Sequence, residues 1–282
     1  MKLIIDSGAT KADWCLLGSA SQSSEVRRFK TDGMNFSTMS EESVEAIVNQ
    51  ALAVLGSEGV REVFLYAAGL IEGSEQYDAS RRILSRAFPD AEVFCASDML
   101  AAARAACGKQ AGIAAILGTG SNSCLYDGET VVSNVRSGGF ILGDEGGGAC
   151  LGKLFISDFI KGLVPQDLSD EFSAEFDADY MTIVRKVYRE TAPSAYLGSF
   201  APWILARCGE EGYLHDLVMN NLESFFDRSL LRHGRNDIPV GFVGGFAAAC
   251  ESMIREIASK KGMKLSRIIS SPMEGLILYH SN

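Results

Sequence analysis

No run of basic residues in this chain exceeds a pair: Arg27-Arg28, Arg81-Arg82 and Lys260-Lys261 are as dense as its positive charge becomes, and 26 Lys and Arg stand against 36 Asp and Glu for a formal charge of −10. That balance excludes a nucleic-acid phosphate track and argues against docking on an anionic membrane surface. A CxxC pair is also missing. The seven cysteines, at 15, 95, 107, 124, 150, 208 and 250, are scattered through apolar stretches such as Val93-Phe94-Cys95-Ala96, so they read as reduced core residues of a cytosolic protein. No apolar run approaches the roughly 18 residues of a membrane span. The N-terminus reaches an acidic side chain at Asp6, too early for the apolar stretch of a signal peptide, and a cytoplasmic location is the expectation. No linker-like or low-complexity segment interrupts the chain.

What is there is globular: 47% hydrophobic and 22% charged residues over 282 positions, enough for one large domain or two of ordinary size without disulfide staples. Residues 2–6 read as a buried strand ending in Asp6, a turn follows at Ser7-Gly8-Ala9-Thr10, and Trp14 to Leu17 read as the returning strand of a hairpin. Thr38 and Glu41 have capping-box spacing for a helix whose apolar positions Val44, Ile47, Val48, Ala51, Leu52 and Leu55 keep the helical period up to Gly56. Val63–Ala67 is a predicted strand, 74–87 a helix ended by Pro89, Val93–Ser97 a strand with Asp98 at its carboxyl end, and Met99–Cys107 a helix stopped by Gly108. Apolar strands alternating with helices imply a mainly parallel sheet beside the opening hairpin.

The opening motif then returns about 110 residues later. Ile113–Leu117 is an apolar strand, Gly118-Thr119-Gly120-Ser121 a glycine and hydroxyl turn, and Cys124-Leu125-Tyr126 the strand back. An echo with so long a period suggests two related lobes facing one another rather than a solenoid. Beyond it lie a glycine-dense stretch from Gly138 to Gly148, a helix through about Leu163, a mostly helical section over 171–233, a strand at Val240–Val243, the turn Gly244-Gly245, a helix from Phe246 to about Lys260, and a final helix in the tail.

Turns of Gly, Ser and Thr leave backbone N–H groups unshielded, the arrangement a phosphate needs, and hydroxyls at Thr10, Thr119 and Ser121 can add donors. Asp6 at the mouth of the first turn is placed to hold Mg²⁺ directly or through water, or to cap the turn. Asp98 stands where open α/β sheets bind ligands, within reach of a substrate hydroxyl whose proton it could accept during phosphoryl transfer; it is equally an N-cap for the helix that follows. Strand, double glycine and helix at Val240–Phe246 would let a nucleotide approach the backbone at a helix N-terminus. Asp144 and Glu145 could hydrogen-bond sugar hydroxyls, or their stretch is a surface loop.

Together, Asp6-Ser7-Gly8-Ala9-Thr10-Lys11, Asp98, Leu117-Gly118-Thr119-Gly120-Ser121-Asn122, Gly143-Asp144-Glu145-Gly146 and Gly244-Gly245 resemble the superfamily of acetate and sugar kinases, heat-shock chaperones and actin, and most closely the BadF/BadG/BcrA/BcrD ATPase family with its N-acetylglucosamine kinase members. The resemblance spans nearly the whole chain. It implies an α/β fold of two ribonuclease-H-like lobes around a nucleotide cleft, one holding 1–106 with the tail helix 268–282 and the other 107–267. ATP phosphates would meet Ser7, Gly8, Ala9, Thr10 and Lys11 from one side and Gly118, Thr119 and Gly120 from the other, with Gly244 and Gly245 against the adenosine and Mg²⁺ at Asp6. Asp98 would activate a sugar 6-hydroxyl, and Asn35, Thr119, Asn122, Gly139 and Asp144 would contact the sugar. Departures are Ser7 where the family usually has glycine, Phe36 where many members have proline, and the abbreviated strand end Ala67-Ala68-Gly69.

The implied activity is an ATP-dependent amino-sugar kinase, with N-acetylglucosamine leading and N-acetylmuramic acid, N-acetylmannosamine or glucosamine as alternatives. Two readings of other classes stand beside it. One is an ATP-driven activator of a dehydratase, whose iron–sulfur cluster needs convergent cysteines that this spacing lacks, Cys124 and Cys150 being the only conceivable pair. The other is a non-catalytic sugar sensor. A dimer is common among the proteins resembled.

Overall fold

A computed structural model describes residues 1–8, 11–18, 26–36 and 39–281. The chain divides into two compact units, Met1–Lys109 with Pro272–Asn282, and Gln110–Ser271. In the first unit the strands are β1 (Lys2–Ser7), β2 (Lys11–Leu17), β3 (Val26–Asp32), β4 (Glu62–Ala67) and β5 (Glu92–Ser97), and the helices are α1 (Glu41–Leu55), α2 (Glu75–Ala87) and α3 (Asp98–Cys107). The sheet order is β3-β2-β1-β4-β5. β1 to β3 form an antiparallel meander, while β4 and β5 run parallel to β1. Leu3, Ile4 and Ile5 of β1 are fully buried, as a central strand covered on both faces requires.

The second unit repeats the plan. Its elements in chain order are β6 (Gly112–Leu117), β7 (Ser121–Tyr126), β8 (Val131–Val135), α4 (Gly139–Leu142), α5 (Gly148–Ile160), α6 (Gln166–Glu175), α7 (Tyr180–Tyr188), α8 (Pro193–Gly198), α9 (Ala201–Ala206), α10 (Tyr213–Arg228), β9 (Val240–Val243), α11 (Gly245–Ala249), α12 (Glu251–Lys260) and β10 (Leu265–Ile269). The order β10-β9-β6-β7-β8 is the first sheet's order read from the other edge, with the same antiparallel hairpin pairs and parallel additions. The long-period echo in the sequence is thus a duplicated sheet. The core of this unit is aromatic, with Phe155, Phe172, Phe200, Trp203, Phe225, Phe226 and Phe242 all buried and meeting largely edge to face, as at Phe172 and Phe200 with centroids 5.2 Å apart.

Three strands escape the sequence pattern: β3, β8 and β10. All lie at sheet edges, where solvent on one side removes the need for an apolar run and charge guards against edge pairing. Arg27, Arg28 and Lys30 make that point in β3, whose residues are mostly exposed. Other boundaries shift for local reasons. The cap of α1 is Ser40, whose Oγ accepts from the Ser43 N–H at 3.3 Å; Thr38 lies outside the described residues and Glu41 is already helical. The helix expected from Phe246 to Lys260 breaks at Cys250, whose N–H divides between Phe246 O at 3.0 Å and Ala247 O at 3.2 Å. The helix expected to reach Leu163 ends at Ile160, and Gly162 turns the chain with φ 66°. The returning tail begins at Pro272, since Ile268 and Ile269 still pair with β9.

The tail helix, Met273–Ser281, is held in the first unit by polar bonds and close packing. Tyr66 Oη receives a 2.7 Å hydrogen bond from Arg104 and lies 2.8 Å from His280 Nε2, while Lys2 Nζ donates to His280 O at 3.0 Å. Desolvation first, then the positive charges of Arg104 and Lys2, bring His280 down to about 4, so the ring is neutral at physiological pH. Gly275 lets the helix touch α3: a Cβ there would stand 2.5 Å from Ala105 O and 2.6 Å from its Cα. Gly275→Ala is accordingly expected to cost about 2–4 kcal/mol in denaturant unfolding, whereas Leu278→Ala, at a half-exposed position of the same helix, should stay within about 0.5 kcal/mol.

Candidate functional site

In the first unit, parallel pairing places Ser7 beside Ala67 and Ala67 beside Ser97. The carboxyl ends of β1, β4 and β5 therefore form one edge, and Asp98 follows it as the first residue of α3. Ser97, not Asp98, caps that helix: its Oγ accepts from the Leu100 N–H at 3.3 Å. The Asp98 carboxylate is therefore not the N-cap. Burial raises its pKa, and the Met99 N–H and its own N–H at the helix start pull the other way.

Asp6 sits at the same edge, opposite Asp13 of β2. Burial, then the carboxylates of Asp13 and Asp98, push its pKa up to about 7, against the pull of Lys11. Ser7 is fully buried and its hydroxyl is turned inward, accepting from the Met34 N–H at 2.7 Å. The serine that replaces the usual glycine thus ties the strand end to the loop carrying Asn35, which is partly buried and whose carbonyl accepts from the Met39 N–H at 3.0 Å. Gly8 donates to Lys11 O at 3.0 Å to begin the turn, and Lys11 is exposed at the start of β2. Ala9 and Thr10 lie outside the described residues.

In the second unit, Gly118-Thr119-Gly120 follows β6. Gly118 N–H donates to Gly120 O at 3.0 Å, and the turn's other two carbonyls are taken by the first amides of α5, Gly148 N–H to Gly118 O at 2.9 Å and Ala149 N–H to Thr119 O at 2.8 Å. The N–H groups of Thr119 and Gly120 have no partner among the described residues, so the turn presents donors, as an anion requires.

Gly118, Thr119, Gly148 and Gly245 line one cavity of about 350 Å³, walled by Ala201, Pro202, Leu205, Phe246 and Ala249. Free amides at one end and flat apolar walls suit a phosphate tail and a planar base. Gly244, at φ 132°, closes the approach: a Cβ would lie 2.1 Å from Leu117 O.

The glycine-dense stretch is packed rather than loose. A Cβ on Gly143 would stand 1.7 Å from Ser137 O, one on Gly146 2.6 Å from Phe225 Cβ, and one on Gly147 2.9 Å from Thr119 O. Asp144, with the only positive φ of a non-glycine residue among those described, accepts from the Ser121 N–H at 3.3 Å. Burial raises its pKa while that N–H lowers it. Its carboxylate lies against Gly120, bracing the turn. Glu145 pairs with Arg228 at 3.0 Å. Asn122 and Gly139 do not line the cavity; Asn122 is on β7, and Gly139 opens α4, whose Phe140 carbonyl accepts from Lys153 Nζ at 2.8 Å. Sequence patterning missed Asn221, almost fully buried in α10, which accepts from the Gly146 N–H at 3.0 Å and donates to Gly147 O at 3.2 Å. Only its polarity within an otherwise apolar helix face hinted at it. Cys124 and Cys150 are both buried, and burial pushes the Cys150 thiol up.

No group of three His, Cys, Asp or Glu side chains able to hold a metal occurs among the described residues. Asp6 fits a different mode, a divalent cation bound by one carboxylate plus waters and phosphate oxygens, and its crowding by Asp13 and Asp98 is what such a cation would relieve.

Duplicated sheets with a glycine turn after each first strand define an ATPase of the actin-like fold. Among solved structures, a candidate N-acetylglucosamine kinase from Porphyromonas gingivalis is 38% identical with a TM-score of 0.92, covering 99% of this chain and 98% of its own. A second candidate N-acetylglucosamine kinase, from Chromobacterium violaceum, shares the fold at 18% identity and a TM-score of 0.74, with 99% and 98% covered. A candidate sugar kinase from Cytophaga hutchinsonii does so at 17% and 0.58, with 100% and 98% covered. Curated proteins offer no match. The chain belongs to the BadF/BadG/BcrA/BcrD ATPase family, whose model matches residues 5–277. Membership of an ATPase family implies that it uses ATP.

Two outcomes follow from this geometry. Asn221→Leu keeps the volume but strands the Gly146 N–H and Gly147 carbonyl, so a loss of about 2–4 kcal/mol of stability and weaker ATP-analogue binding are expected by denaturation and calorimetry. Asp6, protonated up to about pH 7 when folded and only to about 4 when unfolded, binds more protons in the native state between those values. Without divalent cation, stability should therefore fall as pH rises from about 4 to 7 and level off above, by a few kcal/mol at most. In Asp6→Asn most of that slope should vanish in urea titrations across the range.

Proposed function

We propose that the protein is an ATP-dependent sugar kinase that transfers the γ-phosphoryl group to the 6-hydroxyl of an amino sugar, with N-acetylglucosamine as the acceptor. The observation that carries the acceptor is the 38% identity, over nearly the full length of both chains, to the Porphyromonas gingivalis candidate N-acetylglucosamine kinase. The fold, the donor-bearing Gly118–Gly120 turn and a carboxylate at the edge of the first sheet agree with it.

In this reading Asp98 is the base. Its basicity raised by burial, it accepts the proton of the sugar hydroxyl as that oxygen attacks the γ-phosphorus; the bond from phosphorus to the β,γ-bridging oxygen breaks and ADP departs. Gly8 and Lys11 of the first turn, with Ala9 and Thr10, and the Thr119 and Gly120 N–H groups meet the phosphates. Gly244 and Gly245 lie against the adenosine, which occupies the cavity lined by Gly245 and Phe246. Asp6 would hold Mg²⁺, which when bound neutralises charge on the β- and γ-phosphates. Asn35, held through the Ser7 bond to Met34, contacts the sugar together with Thr119, Asn122, Gly139 and Asp144.

ADP release should respond to N-acetylglucosamine above N-acetylmuramic acid, N-acetylmannosamine and glucosamine in a coupled assay. No response to any sugar would sink the reading. Asp98→Asn should fold and bind nucleotide like the wild type while kcat drops about 10²- to 10⁴-fold; near-normal turnover would remove Asp98 from the mechanism.

A further inference from the structure

Asn122 lies on β7 with its side chain partly buried. Its Oδ1 accepts twice, from the Ser123 N–H at 2.9 Å and from Asn134 Nδ2 at 2.8 Å. Each bond settles an orientation. A backbone N–H can only donate, so the atom of Asn122 that faces Ser123 is oxygen. Asn134 Nδ2 also donates to the Ser123 carbonyl at 2.9 Å, and a carbonyl can only accept, so the Asn134 amide is fixed as well. The two hydrogens on Asn122 Nδ2 find no partner among the described residues. Asn134 is exposed on the edge strand β8 and touches Asn122 across the β7–β8 ladder.

The geometry points to Asn134 as a positioning residue that locks the Asn122 carboxamide with its NH₂ outward, making Asn122 a donor-only contact that selects a hydrogen-bond acceptor on the sugar. The inference rests on the proposed role of Asn122 in sugar binding. An acyl carbonyl on the sugar nitrogen satisfies that donor. The ammonium of a free amino sugar brings only donors of its own and leaves both groups unpaired and desolvated, the mismatch that separates analogues most strongly. The substrate class selected is the N-acylated amino sugar over its amine.

The test compares N-acetylglucosamine with glucosamine. Asn122→Asp keeps an oxygen toward Ser123 and Asn134 and replaces the outward donor with a negatively charged acceptor that pairs with the ammonium instead, so the kcat/KM ratio of the acylated to the free sugar should fall by about 10²-fold. Asn134→Ala frees the amide to rotate and should raise KM for the acylated sugar about 3- to 10-fold with kcat little changed, an effect that disappears in an Asn122→Ala background. A ratio that moves less than about threefold in Asn122→Asp, or an Asn134→Ala effect that persists without Asn122, overturns the inference. Neutron diffraction from deuterium-exchanged crystals reads the lock apart from turnover. Deuterons on the outward atom of Asn122 support it even if neither sugar is phosphorylated, an outcome that would defeat only the proposed activity; an outward oxygen overturns it at any activity.

Discussion

Backbone lying directly on backbone is the constraint on which the second unit depends. Gly244 meets Leu117 O, Gly147 meets Thr119 O, and Gly143 meets Ser137 O at separations that leave no room for a Cβ. These approaches bring the ends of β6 and β9, the start of α5 and the glycine-dense stretch to one place, and the cavity lined by Gly118, Gly148 and Gly245 is the space that remains. Glycine loses more conformational freedom on folding than any other residue, so so many in one neighbourhood is an entropic cost that the buried aromatic core beneath must offset. The bonds from α5 amides to Gly118 O and Thr119 O satisfy carbonyls that would otherwise face the cavity, which leaves donors there. Packing and polarity are therefore settled by the same contacts.

The first unit reaches a polar edge by another route. Its in-register strand ends collect carboxylates where water is partly excluded, and desolvation raises the pKa of both Asp6 and Asp98, with neighbouring carboxylates adding to the rise at Asp6. Asp6 bears most of that tension because Asp13 stands opposite it. Asp98 escapes the N-cap role because Ser97 takes it. A serine one position earlier in the chain is what leaves the aspartate as the first helical residue rather than the cap.

Ser7 illustrates how a departure from a family pattern can be structural rather than catalytic. Its hydroxyl is spent on Met34, binding the strand end to the segment that carries Asn35. Asn221, Asp144 and Asn134 act similarly, each fixing a neighbour's backbone or amide through hydrogen bonds whose partners lie from 11 to 75 residues away.

By itself the sequence determined the α/β class, the two hairpin turns, the duplication that relates them, and Asp98 at a strand end. Periodicity and turn chemistry are local, and a strand buried on both faces announces itself in its own composition. The edge strands β3, β8 and β10 were illegible because half-solvated segments carry no such mark. Only the tertiary structure decided that the glycine-dense stretch is a packed brace, that Asn221 supports it, that Asp6 titrates near neutrality, and which way Asn122 faces. Each of those depends on which distant group arrives at a given surface, and apolar spacing along a chain says which side is covered without saying by what.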